Sequence, residues 1–439
     1  MMTHSNVYSV AGMARCSIYT AFAFALGPSV PAHAQWSQWG GPNRDFKVEA
    51  KQLAHSWPDA GPKTIWKKQL GEGFSSIICD EGVLYTMYRN QTAPIEHVVA
   101  LDAKTGEVLW DRESASPVPE AGVRFPGPHS TPIVSGNRVF AVGRNAVLRS
   151  YDKSDGKVIW SRNLVQDYGA TLSEWGYSPS PLIYNDLVIL PVARKRPNFN
   201  HRPASSPGST ENRAEGRTLM AFKASDGELA WKTQDFGIDH SSPILITVGG
   251  RDQVVQVTPE AMFGVDPTSG DLVWTETFDR PDGFMVTPVW VDSRHLFYST
   301  PNNGTRAISV SEKDGKVVSD RMWESRKLRM TFTNPVSVGD CIVGSTGQAP
   351  SLIVCLARQT GKRAWVERGF ELASFVASGN RIIILEQSGR LSLATVTPTG
   401  LQIHSQFKVA EPECYTTPTL IDTTLYLRNR KEIMALDMG

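Results

Sequence analysis

Two histidines, His129 and His240, each stand just before a Ser or Thr that opens an apolar run. Near them or in equivalent stretches lie Arg124, Glu174, Trp175, Tyr177, Asp239, Arg329 and Asn334, all in polar and aromatic segments between apolar runs. The chemistry these types offer is recognition. Arg and His suit anionic groups, and Trp175 or Tyr177 suits stacking. The plainer reading is that each bonds to loop backbone and fills space. Two histidines with no third ligand at a convincing spacing do not make a metal site, so no metal is expected. Isolated acids such as Glu174, Asp239 and Glu413 follow no calcium-loop spacing, and no catalytic residue is singled out.

A second group is basic. Arg194, Lys195, Arg196 and Arg202 fall in a Pro/Ser-rich stretch, 193–213, that reads as a loop inserted between two strands. It offers contact with an acidic partner or a lipid head group, or is simply a solvated loop.

The elements that must position these residues come from a repeat. One phrase is Ala100-Leu-Asp-Ala-Lys-Thr-Gly-Glu-Val-Leu-Trp110, which returns at 150–160, 221–231 and 264–274. Weaker copies lie at 310–319, 355–365 and 393–403; the first of these has no Trp in place. The phrase reads as a tight hairpin. A strand ends at Leu-Asp, the Asp side chain caps turn amides, Gly supplies positive φ, and the next strand alternates up to a Trp lid. Before each copy stands Ser or Thr, then Pro, then two short apolar strands, as at Ser130-Thr-Pro-Ile-Val and Thr287-Pro-Val-Trp. Pro at the first strand residue loses no ladder donor. Four antiparallel strands in roughly 40 to 50 residues make one propeller blade.

The chain ends complete the count. Ala435-Leu-Asp-Met-Gly439 is the first half of the phrase, and Gly61-Pro-Lys-Thr-Ile-Trp66 is the second half. Joined, they make an eighth hairpin in which an N-terminal strand closes the ring and removes an exposed edge. The expected fold is all-β: an eight-bladed propeller of four-stranded antiparallel blades, with seven blades if one weak copy is not a blade. The loops carrying the candidate residues then converge on one face near the axis. Of 12 tryptophans, Trp66, Trp110, Trp160, Trp231, Trp274 and Trp365 occupy the repeat position. Trp36, Trp39 and Trp57 are expected to pin an N-terminal arm. Trp175 and Trp290 are left for exposed contacts.

Residues 1–34 read as an export signal: Arg15, the apolar stretch Cys16 to Val30, then Ala32-His-Ala34 as an A-x-A cleavage site. An arm (35–62) and the repeat propeller (63–439) come after it. The whole chain carries 45 Lys+Arg against 44 Asp+Glu, and cleavage after Ala34 removes one basic residue and no acid. A balanced chain excludes nucleic-acid binding by bulk charge. No membrane anchor is expected, and the product is placed in the periplasm or outside the cell, as a monomer. Cys341 and Cys355 flank a turn. Either they are bonded across a hairpin, or they are two separate buried thiols.

The phrase Ala-Leu-Asp-x-x-Thr-Gly-x-x-x-Trp resembles the tryptophan-docking repeat of the PQQ-like propeller family, over roughly 36–439. The opening Trp36-Ser-Gln-Trp-Gly-Gly-Pro-Asn-Arg-Asp45 resembles a bacterial exported subgroup, as do Gly127-Pro-His-Ser-Thr-Pro132 and Trp175-Gly-Tyr-Ser-Pro-Ser-Pro181. The resemblance implies two functions. One is that of PQQ-dependent dehydrogenases, which hold the quinone with an adjacent Cys pair and Ca²⁺. The other is that of cofactor-free assembly scaffolds of the BamB type. No adjacent cysteines and no CxxCH occur here. The expectation is therefore an exported, non-catalytic scaffold without cofactor. Its partner is a protein or peptide of the cell envelope, with a small molecule possible; a polysaccharide- or peptide-binding module is a further alternative.

Overall fold

The computed structural model describes residues 36–50, 52–116, 125–173, 175–192, 218–237, 239–278, 282–283, 286–347 and 350–439, with Met1 and Met2. The chain divides into Met1–Ala32 and His33–Gly439, and the propeller belongs wholly to the second unit. The cleavage site near Ala34 and the basic stretch with Arg194, Lys195, Arg196 and Arg202 lie outside the described residues, as do Arg124 and Glu174.

The Asp-x-x-x-Gly turns form as their chemistry requires. Asp102 Oδ1 accepts from Lys104 N (2.9 Å) and Thr105 N (2.8 Å). Asp266 does the same for Thr268 and Ser269. Gly106, Gly156, Gly227 and Gly270 take positive φ. Each hairpin supplies the third and fourth strands of a four-stranded antiparallel sheet, and there are eight such sheets in chain order. Seven lie at 78–115, 133–163, 182–233, 244–277, 289–325, 336–367 and 373–408. In the eighth the order is Thr419–Ile421, Thr424–Arg428, Glu432–Asp437, then the N-terminal strand Lys63–Gln69. Lys63 pairs with Asp437 and Trp66 with Ala435, so the two chain ends close the ring with eight blades, not seven.

The tryptophan lids reach across blade boundaries. Their Nε1 atoms donate to a carbonyl of the next blade: Trp66 to Ala103, Trp110 to Lys153, Trp160 to Ala224, Trp231 to Pro267 and Trp365 to Thr397. The turn glycine of that next blade lies under the indole in the first four cases. Two departures from the expected pattern have clear causes. The fifth blade's outer hairpin is long, Gly304–Lys313 and Lys316–Ser325, so its turn at Gly315 sits in open space. Trp274 therefore bonds Gln253 within its own blade (2.7 Å). Trp323, which the repeat did not flag, docks over Gly361 and donates to Arg358 O (2.8 Å). The outer strands also do not alternate simply. A register shift precedes each lid, as between Ala100 and Leu101. It turns both Val108 and Leu109 outward (44% and 53% exposed) while Trp110 is buried. Trp290 packs, half-buried, against a blade core rather than standing free.

The Ser/Thr-Pro openings stitch successive blades together. Ser76 N donates to Thr131 Oγ1, Thr131 N to Ser180 Oγ, Ser180 N to Ser242 Oγ and Ser242 N to Thr287 Oγ1, all at 2.9–3.1 Å. Buried Arg428 seals the eighth blade to the first, donating to Ser75 O (3.2 Å) and Met87 O (2.7 Å). Cys341 and Cys355 are bonded to each other across neighbouring strands, Cα–Cα 5.4 Å, which resolves the two alternatives in favour of the bridge.

The arm does more than lie against the ring. Trp36 exchanges backbone bonds with Cys79 in the first blade, and Ser37 O accepts from Val134 N in the second. Arg44 donates to Pro181 O in the third and to Pro243 O in the fourth (2.8 Å). Phe46 enters the core of the sixth and seventh blades, where Ala377 N donates to Phe46 O. Contact with inner strands around so much of the ring carries the segment across the axis. Beyond it, Arg381 clasps the carbonyls of Leu53, Ala54 and His55. Trp36 and Trp57 are buried pins, whereas Trp39 faces the axial cavity.

Candidate functional site

At four successive blade openings the hydroxyl residue (Thr131, Ser180, Ser242 or Thr287) accepts a bond from the preceding blade. Extended backbone alternates, so the residue two positions earlier projects the same way. For six openings that earlier residue is Phe74, His129, Ser178, His240, Phe332 or Tyr415, and all six line one cavity on the axis. Its outer compartment, about 200 Å³, is further walled by Phe125, Trp175 and Trp39. An inner compartment of about 160 Å³ shares most of these residues and is floored by Ser76, Ser180, Ser242, Thr333, Thr416 and Thr417. Asn334 lines both. Among the described residues none that lines it is Asp, Glu, Lys or Arg.

The wall is a network of rings meeting mostly edge to face. Phe125 lies 5.7 Å from Phe74, 5.2 Å from Tyr415, 5.9 Å from Phe332 and 6.3 Å from Trp175. Trp175 lies 5.2 Å from the His240 ring. Trp175 is held by its backbone: Arg144 Nε donates to Trp175 O (2.9 Å), and Tyr177 N donates to Arg144 O. Gly176 between them takes φ +75°, and a Cβ there would strike Arg144.

His129 has a defined proton. Its Nε2 lies 3.0 Å from Phe125 O, which can only accept, so Nε2 carries the hydrogen. Nδ1 faces Ser178 Oγ at 3.4 Å. The ring is half-buried in the cavity wall, and desolvation pulls its pKa down to about 3, with His240 and Arg144 adding to the fall. At neutral pH it is an uncharged imidazole. His240 Nε2 lies 3.0 Å from Asp239 Oδ1.

The residues singled out from sequence separate into groups. His129, Trp175, His240 and Asn334 come together around the cavity. Asp239 stands behind His240 as its partner and is not a lining residue. Tyr177 points the other way: its hydroxyl donates to Pro191 O (2.9 Å) inside an apolar cluster. Arg329 is exposed and outside the lining, while its backbone carbonyl accepts from Gly347 N. Phe74, Phe125, Phe332, Tyr415 and Trp39 were missed as site residues. The signal for three of them was the fixed offset before the blade opening, already visible for the two histidines.

A family model described as outer membrane protein assembly factor BamB matches residues 55–197 and 96–367, more than half of the chain. The chain belongs to that family. The outer membrane protein assembly factor BamB of Yersinia pestis is 22% identical over 301 residues, 63% of this chain and 66% of that protein, just short of two thirds of its length. BamB from Moraxella catarrhalis, as a crystal structure, superposes with a TM-score of 0.59 at 15% identity, covering 86% of this chain and 99% of that one. The computationally designed Ika8 protein gives 0.55 at 10% identity, covering 86% and 100%. At these identities both structures speak to the fold. Among the described residues, no helix is long and apolar enough to cross a membrane.

Proposed function

We propose that this member of the BamB family is an exported protein-binding scaffold of the cell envelope, serving outer-membrane protein assembly without chemistry of its own. Membership of the family carries the reading. The Cys341–Cys355 bond supports export, because such bonds persist in oxidising compartments.

The proposal includes no resident cofactor. A quinone bearing several carboxylates, held with Ca²⁺, calls for cationic and carboxylate partners. The described lining offers rings, hydroxyls, an amide and a neutral His129, which do not fit that group. Among the described residues no cluster of three or more His, Cys, Asp or Glu could hold a metal ion.

The test is cross-linking in intact cells with a C-terminally tagged chain, followed by recovery from the envelope fraction. The scaffold reading expects outer-membrane proteins or their assembly machinery among the cross-linked partners, and lowered outer-membrane protein levels when the gene is deleted. Unchanged levels on deletion, with no such partner recovered, would overturn it.

A further inference from the structure

We infer that the axial cavity is a binding site for a single uncharged, polyhydroxylated ring: a pyranose, free or at the end of a glycan. The inference is independent of the scaffold reading and rests on the cavity's two unlike halves. The outer half is aromatic, with Phe74, Trp175, Phe332 and Tyr415 offering apolar surface to the C–H faces of a sugar. The inner half is a ring of hydroxyls with one amide.

The hydrogen-bond accounting says what the inner half wants. Ser180 Oγ and Ser242 Oγ each accept a backbone N–H, and a hydroxyl that accepts still has its own proton to give. Thr333 Oγ1, on a residue only 4% exposed, has no partner among the described residues, and neither has Asn334 Nδ2. Both residues line the inner compartment. Buried polar groups without partners are rare and ask for an explanation. Here the floor presents donors to something rich in acceptor oxygens.

Charge and size narrow the class. Among the described residues the lining holds no Asp, Glu, Lys or Arg, so they give an ionic ligand no counter-charge to offset its desolvation. Drug-sized ligands occupy pockets of roughly 300–1,000 Å³, whereas the outer compartment here is about 200 Å³, room for one ring. Of the arm, Trp39 stands in the wall of both compartments. An aromatic peptide side chain would satisfy the outer half but leave the inner donors unmatched.

The experiment uses purified mature protein, with tryptophan fluorescence and saturation-transfer NMR as readouts. The probes are glucose, galactose and N-acetylglucosamine, each free and as the terminal unit of a trisaccharide. A phenylalanine tripeptide and PQQ with Ca²⁺ are the competing arms. The expected result is saturable binding of at least one uncharged sugar, insensitive to salt because no charge is involved. Comparing free with terminal forms then identifies the source. Asn334→Leu and, as a milder second variant, Trp175→Ala should each weaken that binding about tenfold or more with the fold intact by circular dichroism. Absence of saturation up to roughly 50 mM for every sugar overturns the inference. So does binding that both variants leave unchanged, or saturable binding of the peptide or of PQQ alone.

Discussion

Replacing Gly227 by Ala tests whether the lids hold the ring, because the same chain holds a turn glycine with the same left-handed φ but no indole above it. Gly227 and Gly315 are both hairpin-turn glycines with φ of +71° and +74°, Gly227 bonding back to Lys223 O and Gly315 following Asp314 in a two-residue turn between the paired Lys313 and Lys316. Adding a methyl at either costs the left-handed penalty of an L residue, roughly 1–2 kcal/mol. The surroundings differ. A Cβ on Gly227 would fall 2.6–2.9 Å from Trp160 ring atoms, and that indole is held by its bond to Ala224 O (2.9 Å). A Cβ on Gly315 meets nothing within 4 Å. Overpacking of a fixed neighbour adds roughly 1–3 kcal/mol. Gly315→Ala should therefore cost about 1–2 kcal/mol and Gly227→Ala about 2–5 kcal/mol. Urea unfolding of both variants, with midpoints compared at a common slope, measures the difference. Equal losses in the two variants would refute the claim that indole-on-glycine docking contributes to the ring.

Two further outcomes come from the chemistry of single groups. His129 has a folded pKa near 3 against the ordinary 6.5, so as pH falls below 6.5 the unfolded chain takes up a proton that the folded one refuses. Stability should fall by up to about 2–3 kcal/mol between pH 6.5 and 4.5, and His129→Gln should flatten that slope in urea titrations; parallel slopes would contradict it. The Cys341–Cys355 bond closes a sequence separation of 14, for which restriction of the unfolded chain is worth about 3 kcal/mol. Replacing both by Ser should lower stability by about that amount. Unreduced mature protein should yield two thiols in denaturant, Cys79 and Cys414.

Period and turn chemistry made the ring readable. Asp, Gly and Trp recur because each blade must make the same turn and cover the same gap, so even the split eighth blade could be assembled from its two halves. What escaped the pattern escaped for local reasons. Trp323 was hidden because the fifth hairpin is longer, which carries the lid further from its glycine. Tyr177 was misjudged beside Trp175 because the loop reverses direction at Gly176, sending one ring to the axis and the other to the core. Phe74, Phe332 and Tyr415 share the histidines' offset but not their residue type, and polar type is what made the histidines stand out. Arg44 gave no signal as an arm residue, because its partners are the carbonyls of Pro181 and Pro243, far along the chain.

The arm ties the cavity to ring closure. It crosses the axis with Arg44 and Phe46 both in left-handed backbone, a conformation that non-glycine residues keep only where their surroundings compensate. The compensation is visible. The Arg44 guanidinium, whose pKa burial lowers to about 9 and which is therefore still charged at neutral pH, is shared between two blades and Gln38. Phe46 is buried between two more blades. The same stretch of chain supplies Trp39 to the cavity wall and then runs on into the strand that completes the eighth blade. Whatever binds more tightly with Trp39 seated in the wall stabilises the seated arm by mass action.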